Sequence, residues 1–388
     1  MHLIQGSPAV NDYDRDAYAV LLPAFAGLTL SDDVCRYLDR GGVSVLLGET
    51  RDEYVGRAMS AQRRTEEAAA HFRDVVESTR RRAGSGVLVA VDQELGGIQR
   101  LHALVPALPS LDDALHAGTE TIVERSAAVA AAARELGVNL FLSPIADVVV
   151  GANPWLDGRH LGADAADVLR IARAFVQGVQ SAGVAATAKH FPGHPVTALD
   201  PALDEAVVGG GLAELAPTLD VFRALIAGGV KAVMAGPALV PAIDVEHPSS
   251  TSRDTLSMLR HEFSFHGLII SDDLDAPGIL RGRSIEATAV AALDAGADLL
   301  LLSSEAGLDR IAGTIVEAVR SGALDASRLA QAANRVRARP GTGWRAGRRP
   351  QRARVRRIDE RTFAPSPCRV VSGARDTRTR RPHRPVSR

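Results

Sequence analysis

Eight short apolar runs recur along the chain: AVLLPAF (19–25), VSVLL (43–47), VLVAVD (87–92), LFLSPI (140–145), VAATAKH (184–190), VKAVMAG (230–236), LIISDD (268–273) and LLLLS (299–303). Each is too short for a helix and too evenly apolar for a strand with one face in water, which leaves strands buried on both faces of a parallel sheet. Between them run longer amphipathic stretches rich in Ala, Leu, Arg and Glu, such as ETIVERSAAVAAAARELG (120–137) and DAADVLRIARAFVQGVQSAG (164–183). Each closes on a glycine able to end a helix. Alternating strand and helix predicts a parallel α/β architecture. Eight strands between residues 19 and 338 fit a single-domain (β/α)8 TIM-type barrel better than an open doubly wound sheet. The open sheet of a dinucleotide-binding domain would also want Gly-x-Gly-x-x-Gly after the first strand, and FAGLTLS (25–31) does not supply it.

Composition agrees with a globular body. The 388 residues are 46% hydrophobic with a mean hydropathy of +0.02, enough to bury a full core. No run approaches the roughly 20 apolar residues of a membrane-spanning helix, and the opening MHLIQGSPAVNDYDRD has no basic segment followed by an apolar one, so the expected location is cytoplasmic. Cys35 and Cys368 stand far apart without metal-ligand spacing, which argues against a disulfide scaffold or a zinc site.

The net charge of −1 conceals an asymmetry that does change the picture. Residues 340–388 hold 15 arginines against Asp359, Glu360 and Asp376, a balance of +12, which leaves −13 on residues 1–339. Rich in Arg, Pro, Ser and Thr and poor in aliphatic residues, the segment 340–388 cannot repay the entropy of ordering and is expected to be a disordered tail behind a folded domain 1–339. It has little aromatic interleaving and no nucleic-acid motif, so weak polyanion binding is the most it suggests.

In a barrel of this kind the chemistry sits at the C-terminal ends of the strands. Polar residues collect there: the third strand ends in Asp92, Gln93 and Glu94, the fifth in Lys189 and His190, and the seventh in Ser271, Asp272 and Asp273, while the loop after the fourth carries Asp147 and Arg159. Lys189 and Lys231 are the only lysines in a chain that otherwise uses arginine. His190 and His194 have the spacing of metal ligands on a helix, but Pro192 and Gly193 between them break such a helix, so no metal is expected. No motif calls for a cofactor. An ammonium and an imidazole that donate hydrogen bonds, beside a carboxylate that accepts them, suit a sugar.

At these residues the chain resembles glycoside hydrolase family 3, and in particular its single-domain β-N-acetylhexosaminidase branch. AVDQELGGIQRL (90–101), SPIADVVVGANPWLDGRHLGAD (143–164), KHFPGH (189–194) and GLIISDDLDAPGI (267–279) are similar to the family's motifs and follow its order. The resemblance covers residues 19–338 and implies a (β/α)8 barrel that cleaves a terminal β-linked sugar, most simply N-acetylglucosamine, with retention. It implies Asp272 as the nucleophile, forming a covalent glycosyl-enzyme, and Asp92, Arg100, Arg159, Lys189 and His190 as the sugar-binding set. Lysine, a compact point charge, suits a tight sugar pocket better than arginine's planar fork. Together with the cytoplasmic expectation, the resemblance implies recycling of wall fragments.

The match departs from the family in the loop PVTALDPALDEAVV (195–208). Asp200 falls at the family's aspartate, but Ala202 falls where the family's acid/base histidine stands. Leu95 replaces a glycine and Pro237 a histidine. Three functions follow from this pattern. The first is a glycosidase on a β-linked amino sugar or glucoside whose proton comes from Asp200, Asp204 or Glu205. The second is a barrel that binds sugar without turning it over, a sensor or partner protein. The third is a transferase that passes the sugar to phosphate.

Overall fold

A computed structural model describes residues 13–338 apart from Ser85. The expected tail from residue 340, with Cys368, lies outside the described residues. All eight predicted strands occur: β1 Leu21–Phe25, β2 Ser44–Leu47, β3 Leu88–Val91, β4 Leu140–Phe141, β5 Ala185–Phe191, β6 Ala232–Ala235, β7 Leu268–Ile270 and β8 Leu300–Ser303. They are parallel and hydrogen-bonded in the order β7-β6-β5-β4-β3-β2-β1-β8. A parallel bridge between Ile270 and Leu299 joins the two ends of that order, closing the ring of a (β/α)8 barrel.

The evenly apolar strands have a direct cause. Along β3, Val89 and Val91 belong to the large core between sheet and helices, whereas Leu88 and Ala90 belong to a smaller cluster inside the barrel. The same alternation runs along β6, where Val233 and Ala235 face one way and Ala232 and Met234 the other. Both faces are dry, so period two survives in geometry but not in hydropathy.

The two amphipathic stretches form helices Thr119–Glu135 and Ala165–Ser181. Gly137 and Gly183, just beyond them, take φ values of 93° and 83°, the left-handed region that only glycine adopts without strain. Gly178 lets the two helices approach closely: a Cβ there would lie 2.4 Å from the Val123 carbonyl oxygen. Among the described residues no helix is long and apolar enough to cross a membrane.

Candidate active site

The C-terminal ends of the strands surround a cavity of about 790 Å³. Its wall includes Glu49 after β2, Asp92 after β3, Lys189 and His190 on β5, and Asp272 and Asp273 after β7. Trp155 and Arg159 enter from the segment after β4, and Tyr54 from the short helix Arg51–Gly56.

Lys189 is the hinge of the polar network. Its Nζ lies 2.7 Å from Asp92 Oδ1 and 2.6 Å from Glu94 Oε1. Glu94 in turn receives Arg159, Nη2 to Oε1 at 2.7 Å and Nε to Oε2 at 3.1 Å. Burial works to neutralise each of these groups, but the facing opposite charges outweigh it: Glu94 is held well below the carboxylate range, and Lys189 and Arg159 stay above their ordinary values. The turn after β3 is built to this pattern. A Cβ on Gly97 would sit 1.8 Å from Glu94 Oε2, so any larger residue there would have to push that carboxylate off Arg159. Leu95, at a glycine position of the resembling motif, turns away and packs into the main core.

Asp147 organises the second half of the site. Fully buried, it accepts four hydrogen bonds: Oδ2 from the His190 backbone N–H and Nδ1, both at 2.9 Å, and Oδ1 from the His194 backbone N–H at 2.8 Å and Nδ1 at 3.2 Å. The KHFPGH turn is therefore wrapped around one carboxylate. Potential ligand atoms of Asp147, His190 and His194 lie within 4.8 Å of one another, yet both carboxylate oxygens are already engaged by these four donors. The Trp155 ring packs on both imidazoles, with centroids 4.3 Å from His190 and 5.0 Å from His194, and its Nε1 donates to Tyr54 Oη at 2.8 Å. Burial outweighs the pull of Asp147 and pushes His190 down to about 3, so its imidazole is neutral. With Nδ1 donating to Asp147, its Nε2 is an acceptor, 4.0 Å from Asp272 Oδ2.

Asp272 is held by its own backbone. Its N–H donates to Ser250 Oγ at 2.9 Å, and its Oδ1 accepts from the Asp273 N–H at 2.8 Å. Oδ2 has no hydrogen-bond partner. Burial pushes this carboxyl up to about 6, against the opposing effects of the Asp273 amide and Lys189.

The remaining sequence candidates stand elsewhere. Arg100 is fully buried behind the wall, its Nε donating to the Gly48 carbonyl at 2.6 Å and its Nη atoms to Glu67 at 2.8 and 2.9 Å. Asp200, Asp204 and Glu205 lie outside the cavity wall, whereas Ala202 is part of it. Asp200 Oδ1 accepts from the Ala202 N–H at 2.9 Å, and its Oδ2 is 3.7 Å from Arg57. Glu205 is exposed and faces Arg281 at 3.4 Å, and Asp204 is exposed. The loop itself is tied down, with Arg51 donating to the Ala202 carbonyl at 3.1 Å and the Gly278 N–H to the Pro201 carbonyl at 3.0 Å. Pro237 lies in the wall.

Sequence reasoning passed over Glu49, Tyr54 and Trp155. Glu49 carries much of the signal used for the other strands, an acid one glycine beyond an apolar run. Trp155 and Tyr54 carry none, because an aromatic residue in a turn or on a short helix has many uses.

Comparison with known proteins bears on the family and the fold. The model of the glycosyl hydrolase family 3 N-terminal domain matches residues 27–338. A β-hexosaminidase of Tolumonas auensis is 33% identical over 233 residues, 58% of this chain and 69% of that protein. One of Stenotrophomonas maltophilia is 35% identical over 237 residues, 59% of this chain and 70% of that one. Among solved structures, a family 3 β-N-acetylglucosaminidase from Paenibacillus superposes with a TM-score of 0.75 at 29% identity, covering 84% of this chain and 61% of that one, so this chain spans less than two thirds of it. A β-N-acetylhexosaminidase from Beutenbergia cavernae, at 23% identity, shares the fold with a TM-score of 0.74 over 84% of this chain and 97% of its own. A barrel closed as its sequence predicts, a strand-end cluster of Asp, Lys and His, and a family match over most of the chain lead to one conclusion: the protein belongs to glycosyl hydrolase family 3.

Proposed function

We propose that the protein is a retaining O-glycoside hydrolase that releases a terminal β-linked N-acetylglucosamine through a covalent intermediate on Asp272. The observation that carries this reading is the Asp272 carboxyl: it lies in the wall of the cavity with Oδ2 unpartnered, beside the acceptor nitrogen of a neutral His190. Oδ2 attacks the anomeric carbon, the bond from that carbon to the aglycone oxygen breaks with its electron pair leaving on the oxygen, and water then releases the sugar from Asp272. Lys189, His190 and Asp92 face the sugar hydroxyls. The β-hexosaminidase relatives support the choice of sugar.

The alanine at position 202 and the placement of Asp200, Asp204 and Glu205 support a weak acid step. General acid help is worth roughly 10²- to 10⁴-fold. The expected behaviour is fast release of 2,4-dinitrophenol, which needs no proton, and release of 4-methylumbelliferone slower by a factor in that range, from the two β-N-acetylglucosaminides. Asp272→Asn should abolish both. Since Asp272 attacks only when ionised, kcat/KM should rise as pH climbs through about 6. Equal, fast turnover of both substrates would overturn the weak acid step, and silence on both with sugar still bound would turn the reading to a sugar-binding barrel.

A further inference from the structure

One carboxyl in the cavity wall has no part in that mechanism. Glu49 follows β2, is half-buried, and its Oε2 is buried without a hydrogen-bond partner. The charged groups that face it are Asp92 and Glu94 after β3, Lys189 on β5, and Arg100 behind the wall. Neither cation is free to pair with it. Lys189 is held between Asp92 and Glu94 at 2.7 and 2.6 Å, and Arg100 is spent on Glu67 and the Gly48 carbonyl. Burial and the two neighbouring carboxylates push Glu49 up to about 8, so at neutral pH it carries a proton and can both donate and accept. Buried polar atoms without partners are costly in a folded protein and are commonly satisfied by a ligand or water.

Its place in the ring says which part of a ligand it meets. Counted through the β7 and β8 closure, β2 stands three positions from β7 and β3 stands four, so Glu49 and Asp92 lie across the mouth from Asp272. A sugar whose anomeric carbon is at Asp272 therefore presents the opposite end of its ring to them. We propose that Glu49 is a specificity-determining residue whose carboxyl hydrogen-bonds a hydroxyl on the non-reducing side of the terminal sugar, the 4- or 6-hydroxyl, alongside Asp92. The inference rests on the sugar-binding reading of the cavity but not on turnover.

A sugar that displaces water from Glu49 favours its neutral form. The free carboxyl already titrates near 8, so affinity should be full below that pH and fall above it. The experiment is calorimetric titration of N-acetylglucosamine and its 4-deoxy and 6-deoxy analogues into the full-length protein and into Glu49→Ala and Glu49→Gln, from pH 6 to 9. Glu49→Ala should weaken N-acetylglucosamine binding about tenfold or more, the loss expected when a buried hydrogen bond is removed. Glu49→Gln, an uncharged isostere, should stay within about threefold of the wild type at pH 7 and lose the decline above pH 8. One of the two deoxy sugars should bind the wild type about as weakly as N-acetylglucosamine binds Glu49→Ala, and be indifferent to that substitution. Binding by Glu49→Ala within twofold of the wild type would overturn the proposal, as would no sugar binding by the wild type. Should Glu49→Ala fail to fold, a Glu49→Gln variant that keeps the wild-type decline would do the same. Because binding is read directly, absence of hydrolysis by the wild type with these shifts intact would sink the hydrolase reading alone.

Discussion

Asp147→Asn tests whether one buried carboxylate holds the KHFPGH turn together. Asp147 accepts four N–H groups, two from His190 and two from His194, at 2.8 to 3.2 Å in a fully buried site. Asparagine has the same shape but only one acceptor oxygen, so its NH2 group must face the two donors of one histidine. An imidazole can relieve its share by changing tautomer, and the unpartnered Nε2 of His194 has no competing bond to oppose that change. The backbone N–H cannot change. An unsatisfied buried donor costs about 1–3 kcal/mol, so one or two of them predict a loss of about 1–6 kcal/mol out of a typical total of about 5–15.

Denaturant unfolding at pH 7 reads this directly, with Trp155, which packs on both imidazoles, as the fluorescent reporter. The sign of the pH dependence is also determined. Hydrogen bonds from the two histidines overcome burial and hold Asp147 below its ordinary value, so its stabilisation is present above the unfolded value near 4 and lost as the pH falls below it. The gap between wild type and variant should therefore be level from about pH 5 to 8 and shrink under acid. The neutral His190, pushed down to about 3, adds a separate loss of wild-type stability as pH falls from about 6.5 toward 3. A loss below about 0.5 kcal/mol, or a gap that widens on acidification, would refute the clamp.

Two further substitutions probe the same polar network. Lys189→Arg must fit a planar fork where Nζ now sits between Asp92 and Glu94 in a residue only 3% exposed, and a fall in kcat/KM of about 100-fold or more is expected in steady-state kinetics. Gly236→Ala puts a Cβ 2.2 Å from His194 Cε1, so the imidazole must leave Asp147. The expected destabilisation is about 1–3 kcal/mol by thermal unfolding, and a variant as stable as the wild type would show that His194 has room to yield.

The eight strands could be read from the sequence because dryness on both faces is a local property. A run such as VLVAVD needs no knowledge of its neighbours to be recognised as sheet interior, and helix ends at Gly137 and Gly183 are set by the backbone freedom of one residue. Asp92, Lys189, His190 and Asp272 were legible for a related reason: each directly follows or ends such a run, and a barrel sends strand ends to one mouth. What the sequence could not reveal were partners chosen by residues far away in the chain. Arg100 reads like a pocket residue, but Glu67 and the Gly48 carbonyl, brought alongside by the closed ring, draw its guanidinium behind the wall. Asp200, Asp204 and Glu205 share a loop with Ala202, yet contacts from Arg51, Arg57, Gly278 and Arg281 decide that only Ala202 of the four reaches the cavity wall. Strand identity is paid for locally by burial and can be read from composition, whereas the direction of a polar side chain depends on which opposite charge or free carbonyl lies within about 3 Å, and only the closed barrel determines that.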